Sequence, residues 1–401
     1  MTEYTADKKL TASPELFLYL KRHTEIILAF LIASVLFYEG FFVLALGVSE
    51  AGAFNPLAAV FLLFFIMVCF AKNNVRIGWG ITLSFMMITF FLFIGIFSAE
   101  EGGAVKSLRD FIYLTIIFLF FPYFNTIIKH RALSPKKFVF FLTIFTIVIY
   151  PFIGACLGFT GYEGRFPGFN LSPPIFANGV LLTYLIYKGG NGGGRFLEIS
   201  FFLTSCFLIF ISGTRSPLIM IVLYEAMFLI FSTRRERKME IFVIITSLLL
   251  LSSFLLFEGN NFRIFSLDDI HSGSLSTRLH WYALLLNDIA ESGFFGGFGP
   301  GAAEEKLGYI PHFDLLRLWY DYSIFCVIFT CLFFFTMAVA SGFKFSLLSA
   351  KKFFIETSFF IVSLINFVFL TMHNALQVPG LVLLITIWIY FSYPHRILEG
   401  R

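Results

Sequence analysis

The chain has 401 residues, of which 58% are hydrophobic, 20% aromatic and 13% charged, with Phe at 59 positions. A soluble domain carries roughly 25% charged residues, so about half the usual charge is present and a soluble fold is excluded. Mean hydropathy of +0.85, with no long stretch of ordinary composition, also excludes a peripheral protein held by one anchor. The net charge of +4 says little alone, because membrane proteins sort charge by side.

Hydrophobic runs separated by polar breaks fall at about 26–47, 56–71, 77–98, 108–128, 138–158, 174–187, 196–212, 216–232, 240–257, 313–341, 353–371 and 377–394. Backbone groups in hydrocarbon need internal partners, and no run alternates like a barrel strand, so each is read as a helix. The second and sixth runs are short and imply tilt or extension by their flanks. The expectation is an all-α polytopic membrane protein of about 12 transmembrane helices. One integral membrane domain covers residues 1–401, with a large extramembrane loop at 258–312 between helices 9 and 10. The polar segment through His23 argues against an ordinary signal-peptide n-region before the first run. Cys69, Cys156, Cys206, Cys326 and Cys331 lie inside hydrophobic runs and read as small apolar side chains, with neither a disulfide framework nor a zinc site supported.

Alternate assignment of the breaks, with the N-terminus cytoplasmic, places 21 of the 29 Lys and Arg on the inner side, Lys188 and the Arg234–Lys238 cluster among them. Every inner break is then basic, as the positive-inside rule requires, and both termini are cytoplasmic. Eight cations remain outside: Lys106, Arg109, Arg165, Arg215, Arg263, Arg278, Lys306 and Arg317. Orientation disfavours them there, so each needs another reason. Six are Arg, whose planar fork suits bidentate phosphate binding. Arg215 sits in a very short turn, Ser212-Gly213-Thr214-Arg215-Ser216-Pro217. Snorkelling to lipid phosphates is its plain alternative.

The 258–312 loop opens a helical stretch near Ser276-Thr277-Arg278, either of the first two serving as N-cap. Trp281, Leu284, Leu285 and Ile289 share one side, which predicts an amphipathic helix on the membrane or the bundle. Arg278 in a first turn opposes the helix dipole; a bound phosphate or a nearby carboxylate would resolve the conflict. Phe295-Gly296-Gly297-Phe298-Gly299-Pro300-Gly301 predicts a tight or closely approached turn. It is not a Walker loop, since no Lys-Ser/Thr follows. Asp314, Arg317 and Asp321, spaced i, i+3 and i+7, share one face of the helix entering the tenth run. They form either a structural charge ladder or the lining of a cavity. His312 stands at the mouth of that helix.

Arginines facing outward at membrane depth, with a His and an Asp, suit a lipid-linked diphosphate. Fixed guanidinium groups neutralise the charge growing on a diphosphate leaving group without a metal, and His is the natural base for an attacking hydroxyl near neutral pH. The first outer loop offers only Glu50 as an acid. Asp268-Asp269 and Glu304-Glu305 have no clustered His, so no metal or other cofactor is expected. His271 and His280 read as surface residues, and His373-Asn374 as loop chemistry.

At this point the sequence resembles the bacterial family of O-antigen polymerases of the Wzy type and O-antigen ligases. The matching pieces are Gly164-Arg165-Phe166-Pro167-Gly168-Phe169 with Ser172-Pro173, Ser212-Gly213-Thr214-Arg215-Ser216, Ser276-Thr277-Arg278, the Gly296/Gly299/Gly301 turn, and Pro311-His312 followed by Asp314 and Leu316-Arg317. The resemblance covers about residues 160–325 in motifs and the whole chain in topology. It implies a GT-C-like glycosyltransferase of the bacterial inner membrane with a periplasmic active site. In that site Arg165, Arg215, Arg278 and Arg317 hold the diphosphate of an undecaprenyl-linked glycan, His312 or Asp314 takes the proton, and Gly299 and Tyr320 support. Transfer would be inverting and metal-independent. Donor and acceptor would both be undecaprenyl-diphosphate-linked oligosaccharides, with membrane lipids and a chain-length regulator as further partners and no nucleic acid. Departures are Phe313, where the family often has a polar residue, and Ser323 and Cys326, where it commonly has glycines. A ligase acting on the lipid A core, or a polyprenyl-lipid transporter, are the alternative readings. The mid-membrane acids that would mark the transporter are few: Glu39, Asp110 and Glu225.

Overall fold

The computed structural model describes residues 24–46, 55–72, 75–97, 103–129, 133–159, 165–170, 172–190, 194–231, 274–308, 313–341, 364, 367, 376 and 378–391. Among these residues the chain is almost wholly helical and contains no strand. The expected runs at 240–257 and 353–371 lie outside them, apart from Leu364 and Phe367.

Fourteen helical segments are used below. They are α1 (Thr24–Leu36), α2 (Tyr38–Leu46), α3 (Asn55–Lys72), α4 (Trp79–Phe97), α5 (Gly103–Lys129) and α6 (Pro135–Cys156). Then follow α7 (Pro173–Gly190), α8 (Arg195–Ile211), α9 (Arg215–Phe231), α10 (Ser274–Glu291), α11 (Ala302–Leu307), α12 (Asp314–Asp321), α13 (Ile324–Ala340) and α14 (Pro379–Phe391). By length and composition α5 and α6 can each cross a membrane, and shorter apolar helices make up most of the rest. The middle of α6 widens into a π-helical segment, Ile144–Ile149. Pro151 follows directly and has no N–H to donate, so a wider turn there accommodates the lost bond.

The centre of the bundle is α7 with α14. Every residue of α7 from Phe176 to Lys188 is buried, and in α14 every residue but Tyr390 is. A helix apolar on all sides has to be surrounded, and both are. Gly179 and Gly380 let α7 and α14 meet α1 at Leu36, and Gly189 meets Phe391 at their other ends. On α5, Phe124 packs its ring against Tyr390 and Phe391 at 5.5 and 6.1 Å. Thus α5, α7 and α14 run the same way and start at the same end of the bundle. The periphery is the reverse: Trp79, Phe97 and Phe196 are 88%, 89% and 82% exposed, with Phe61 and Phe64 of α3 also outward. Apolar surface on this scale marks a face that water does not cover.

Two of the expected continuous helices are broken, for the same physical reason. The 26–47 run divides at Phe37. Asn170 donates its Nδ2–H to the Leu36 carbonyl at 3.3 Å, while the Gly40 N–H, its ordinary helical partner, turns to the Phe37 carbonyl. The 313–341 run divides between α12 and α13. Here the Gly297 and Phe298 N–H groups donate to the Tyr320 carbonyl and Gly299 N–H to Asp321, each at 3.0 Å, and Ile324 N–H goes to Phe295. A loop from elsewhere in the chain takes the carbonyls that the next helical turn would have used.

Candidate functional site

Of the residues expected to carry function, Arg165, Asp314 and Arg317 lie near where α5, α7 and α14 begin. Residues 165–170 form an irregular strap with Pro167, Gly168, Phe169 and Asn170 buried. Bare backbone at Gly40 and Gly154 makes room for it: a Cβ on Gly40 would lie 2.6 Å from the Phe169 carbonyl, and one on Gly154 would strike Gly168. Phe169 fills the gap with rings of Phe41 at 5.1 Å and Tyr150 at 5.8 Å. The Phe166 N–H then donates to Ile211 O at 3.2 Å, at the end of α8.

That bond seats Arg165 on the turn leading into α9. Ser212 Oγ donates to Ile209 O at 2.6 Å and to Thr214 Oγ1 at 3.2 Å, closing the turn. Gly213 adopts φ +67°, a conformation that costs a non-glycine residue. Its Cα face touches the Arg165 stem, so a Cβ there would lie 3.1 Å from Arg165 Cδ. Arg165 is therefore brought within two residues of Arg215, the first residue of α9, from an entirely different break in the sequence.

A second group forms around α10. This helix starts at Ser274, so Ser276 and Thr277 fall in its first turn. The expected cap at either residue is corrected, and Arg278 moves past the first turn with the dipole conflict eased. Leu285 and Ile289 are buried, against Ala303, Leu316 and Tyr320, and Trp281 and Leu284 are half-buried. Tyr282, one turn beyond Arg278, packs on Phe313 at 5.7 Å. Burial raises the pKa of its phenol and the nearby Arg278 charge opposes that rise. Arg278 thus lies on the helix that contacts the residue following His312. His312 itself, the side chain of Arg215, Asp268-Asp269, His271 and His373-Asn374 lie outside the described residues; His280 is exposed.

The glycine-rich loop joins α10 to α11 and α12. α10 ends in a Schellman arrangement, with Phe294 N–H to Ile289 O at 2.9 Å and Gly293 N–H to Ala290 O at 3.2 Å. The loop then caps α12 as described above. Gly296, at φ +67°, lies so close to the Trp319 carbonyl that no Cβ fits. Asp321 returns the favour at α11: its carboxylate accepts the Gly301 and Ala303 N–H groups at 3.1 and 2.9 Å. Gly299 serves through its N–H to Asp321 O, and Tyr320 donates its hydroxyl to Asp288 at 2.8 Å.

Arg317 and Asp314 both find partners within the chain. Arg317 is buried and forks onto Asp110, with Nη1 to Oδ2 at 2.7 Å and Nη2 to Oδ1 at 3.1 Å. Nη1 also lies 3.6 Å from Asp321, and Tyr322 adds its hydroxyl to Asp110 at 3.1 Å. Asp314 is 0% exposed and accepts the Leu376 N–H at 2.9 Å. The bidentate geometry expected for a phosphate is satisfied by a carboxylate of α5, and Asp314 is spent on the chain entering α14. The shared face is the structural ladder: it fastens α12 to α5, to α11 and to residue 376. Glu304, once a conceivable metal ligand, pairs with Lys106 at 3.0 Å.

Sequence reasoning named Asp110 only as a mid-membrane acid and missed its pairing with Arg317, 207 positions away. It also assigned Lys188 to orientation. The structure buries Lys188 between Glu198 and Glu225, with Glu225 Oε2 at 2.9 Å and Tyr184 hydrogen-bonded to the same carboxylate. No motif marks either partnership; only a charge inside an apolar run does.

Comparison with family models, with curated proteins and with solved structures finds no match to this chain.

Proposed function

We propose that the chain is a polytopic glycosyltransferase of the bacterial inner membrane, of about 12 spans and GT-C-like architecture, that polymerises undecaprenyl-diphosphate-linked O-antigen repeat units at the periplasmic face. The observation that carries this reading is the seating of Arg165 on the Gly213 turn beside the start of α9. Two arginines from separate outer breaks then share one locality, as a diphosphate requires. The lipid setting is supported by the apolar periphery of α3, α4 and α8 and by the length of α5 and α6.

In this mechanism Arg165, Arg215 and Arg278 hold the diphosphate. The acceptor hydroxyl attacks the anomeric carbon from the face opposite the leaving group. As the new glycosidic C–O bond forms, the bond to the diphosphate oxygen breaks, and undecaprenyl diphosphate departs with the bonding pair. His312 takes the hydroxyl proton. Guanidinium groups act on the charge developing on the leaving diphosphate, where a fixed charge in a water-poor site lowers the barrier most. Asp314 and Arg317 are positioning residues here. They anchor α12 without touching substrate.

A lipopolysaccharide gel from a strain lacking this gene tests the reading, with wild type or His312→Ala supplied in trans. The expected result is a core bearing one repeat unit, with the ladder restored by wild type and not by the variant. Bare core with polymer accumulating on its carrier assigns the ligase reaction instead. An unchanged ladder sends the assignment to a transporter or another glycan.

A further inference from the structure

Where α6 widens, three buried hydroxyls from three helices come to one level of the bundle. Thr146 of the π-helical segment, Thr183 of α7 and Ser205 of α8 are each 0% exposed, and none of their hydroxyls has a hydrogen-bond partner among the described residues. Contacts one or two turns away fix their placement. A Cβ on Gly190 would press on Val139, which brings α7 onto α6. The Phe201 ring lies 4.9 Å from that of Tyr187 and 6.4 Å from that of Phe140, so α8 closes the same seam. α7 runs opposite to both neighbours: Lys188 and Tyr184 meet Glu198 and Phe202 in turn, and α6 ends with Gly154 against the strap that also touches Phe176. Seven residues on from Val139 comes Thr146, and seven back from Gly190 comes Thr183. Four residues on from Phe201 comes Ser205, and four back from Tyr187 comes Thr183 again. Steps of four and seven keep to one helix face, so all three hydroxyls fall on the faces that line the seam, about 6–10 Å beyond those contacts at ~1.5 Å per residue.

Helical Ser and Thr commonly donate to the carbonyl four residues back, and on these same helices Thr143 and Thr204 do so at 2.8 Å. Thr146, Thr183 and Ser205 do not. The Thr146 carbonyl has also lost both of its helical donors: the Tyr150 N–H goes to the Phe145 carbonyl, and Pro151 has no N–H. Buried groups of this kind are nearly always satisfied, so the guest must accept from hydroxyls and donate to a carbonyl. An apolar group does neither. A metal cation would take the oxygen lone pairs and leave each O–H without an acceptor. The ionic groups closest along α7 and α8, Lys188 and Glu198, lie five and seven residues off and are engaged with each other and with Glu225. Water both donates and accepts, and a buried water makes about three such bonds. We propose that the seam between α6, α7 and α8 is a buried hydration site, in which water bridges the hydroxyls of Thr146, Thr183 and Ser205 and donates to the Thr146 carbonyl. It completes the widened turn of α6, whose far arm carries Tyr150 and Gly154 beneath the strap that seats Arg165. The site stands whatever reaction the far end of the bundle performs.

The test uses the full chain in lipid nanodiscs and water itself as the probe. A brief X-ray pulse in heavy-oxygen water turns bound water into radicals that tag adjacent side chains, and mass spectrometry of the peptides reads the tag. Ile147 and Phe201, 1% and 5% exposed, flank the seam, and Leu381 of α14, 0% exposed, serves as the dry control. Ile147 and Phe201 should take up heavy oxygen several-fold faster than Leu381. Thr183→Val keeps the shape and deletes one hydroxyl; it should cut that uptake several-fold and lower the melting temperature, because the water loses a partner. Thr183→Ser restores the hydroxyl without the methyl and should restore the uptake, which separates lost hydration from lost packing. Uptake in wild type no faster than at Leu381 overturns the site, and needs no variant to fold. So does a rise in melting temperature of Thr183→Val with uptake unchanged, since an unmet hydroxyl removed from a dry seam stabilises the fold. Wild type that melts higher in sodium chloride than in choline chloride, with the difference gone in Thr183→Val, places a cation in the seam and overturns the water reading as well.

Discussion

Two buried ion clusters sit at opposite ends of the bundle, and they are built differently. Where α5 and α14 begin, Arg317 forks onto Asp110 while Asp321 caps α11. Near the end of α7, Lys188 stands as a point charge between Glu198 and Glu225. The first cluster fixes geometry, because a planar fork and a helix cap each demand one orientation. The second fixes charge balance, because an ammonium with three rotatable donors accepts many arrangements. The Arg cluster holds α12, whose first residue follows His312 by two positions. The Lys cluster holds nothing that the proposed chemistry touches.

Breaking the Arg cluster should have the largest effect. Arg317→Met leaves Asp110 buried with only the looser Arg109 contact at 3.7 Å, and breaking a buried pair in this way costs about 3–5 kcal/mol. Thermal unfolding in detergent should record that loss, and Asp110→Leu combined with Arg317→Met should recover most of it. The double variant should still lack activity, because the fork that orients α12 is gone. A single variant with unchanged melting but lost undecaprenyl diphosphate binding would return Arg317 to the list of substrate ligands.

Lys188→Met makes the matching break at the other end. Glu225 keeps the Tyr184 hydrogen bond, so the cost should lie at the low end of the same range, about 3 kcal/mol. Activity per folded molecule should hold, since α12 is undisturbed. Equal loss of activity in Arg317→Met and Lys188→Met, after correction for folded protein, would erase the distinction between the clusters.

What could be read from the sequence follows the same division. Properties of single segments were legible: the apolar runs, the amphipathic face of α10 with Leu285 and Ile289 inward, and the tight backbone of the Gly296–Gly301 turn. Pairings between distant segments were not. Arg317 looked like a phosphate ligand because Asp110 lies on another helix, and Lys188 looked like an orientation charge because Glu225 does. The two helix breaks were hidden for the same cause. No Pro interrupts 26–47 or 313–341, and Gly40 alone is too weak a breaker to mark the first division; the carbonyls of Leu36, Tyr320 and Asp321 are taken by donors from remote loops. Arg165 and Arg215 were singled out as cations on the disfavoured side, and their convergence on Gly213 appears only once the strap is folded.

The loop that couples the Arg cluster to α10 gives a smaller handle. Gly296→Ala combines a disfavoured φ of +67° with a collision against the Trp319 carbonyl, a strain of about 1–3 kcal/mol. The loop should lift from α12, and activity should fall more than global stability, read as a drop in ladder length with a small shift in melting. A variant that melts like wild type and polymerises normally would show that the loop is not needed to hold the two helices together.

The smallest effect sharpens the comparison from the surface. Asp288 accepts the Tyr320 hydroxyl at 2.8 Å and pairs with Lys306 at 3.0 Å, tying α10 to α12 and α11 in a place that water reaches. The Tyr320 hydrogen bond, then Lys306, holds its carboxyl below the ordinary carboxylate range. The folded state therefore favours the ionised form. The contribution is fully present at neutral pH and is lost as pH falls from the ordinary carboxylate value near 3.9 through the depressed one. Solvent screening keeps such a pair under about 1 kcal/mol, so Asp288→Asn should shift melting by no more than a few degrees at pH 7 and by progressively less as pH falls through the carboxylate range. Adding salt should shrink the difference at pH 7 further, whereas the Arg317 effect, buried from ions, should not respond. If salt erased both effects alike, the Arg cluster would have to be as open to solvent as Asp288, and its role in fixing α12 would fail.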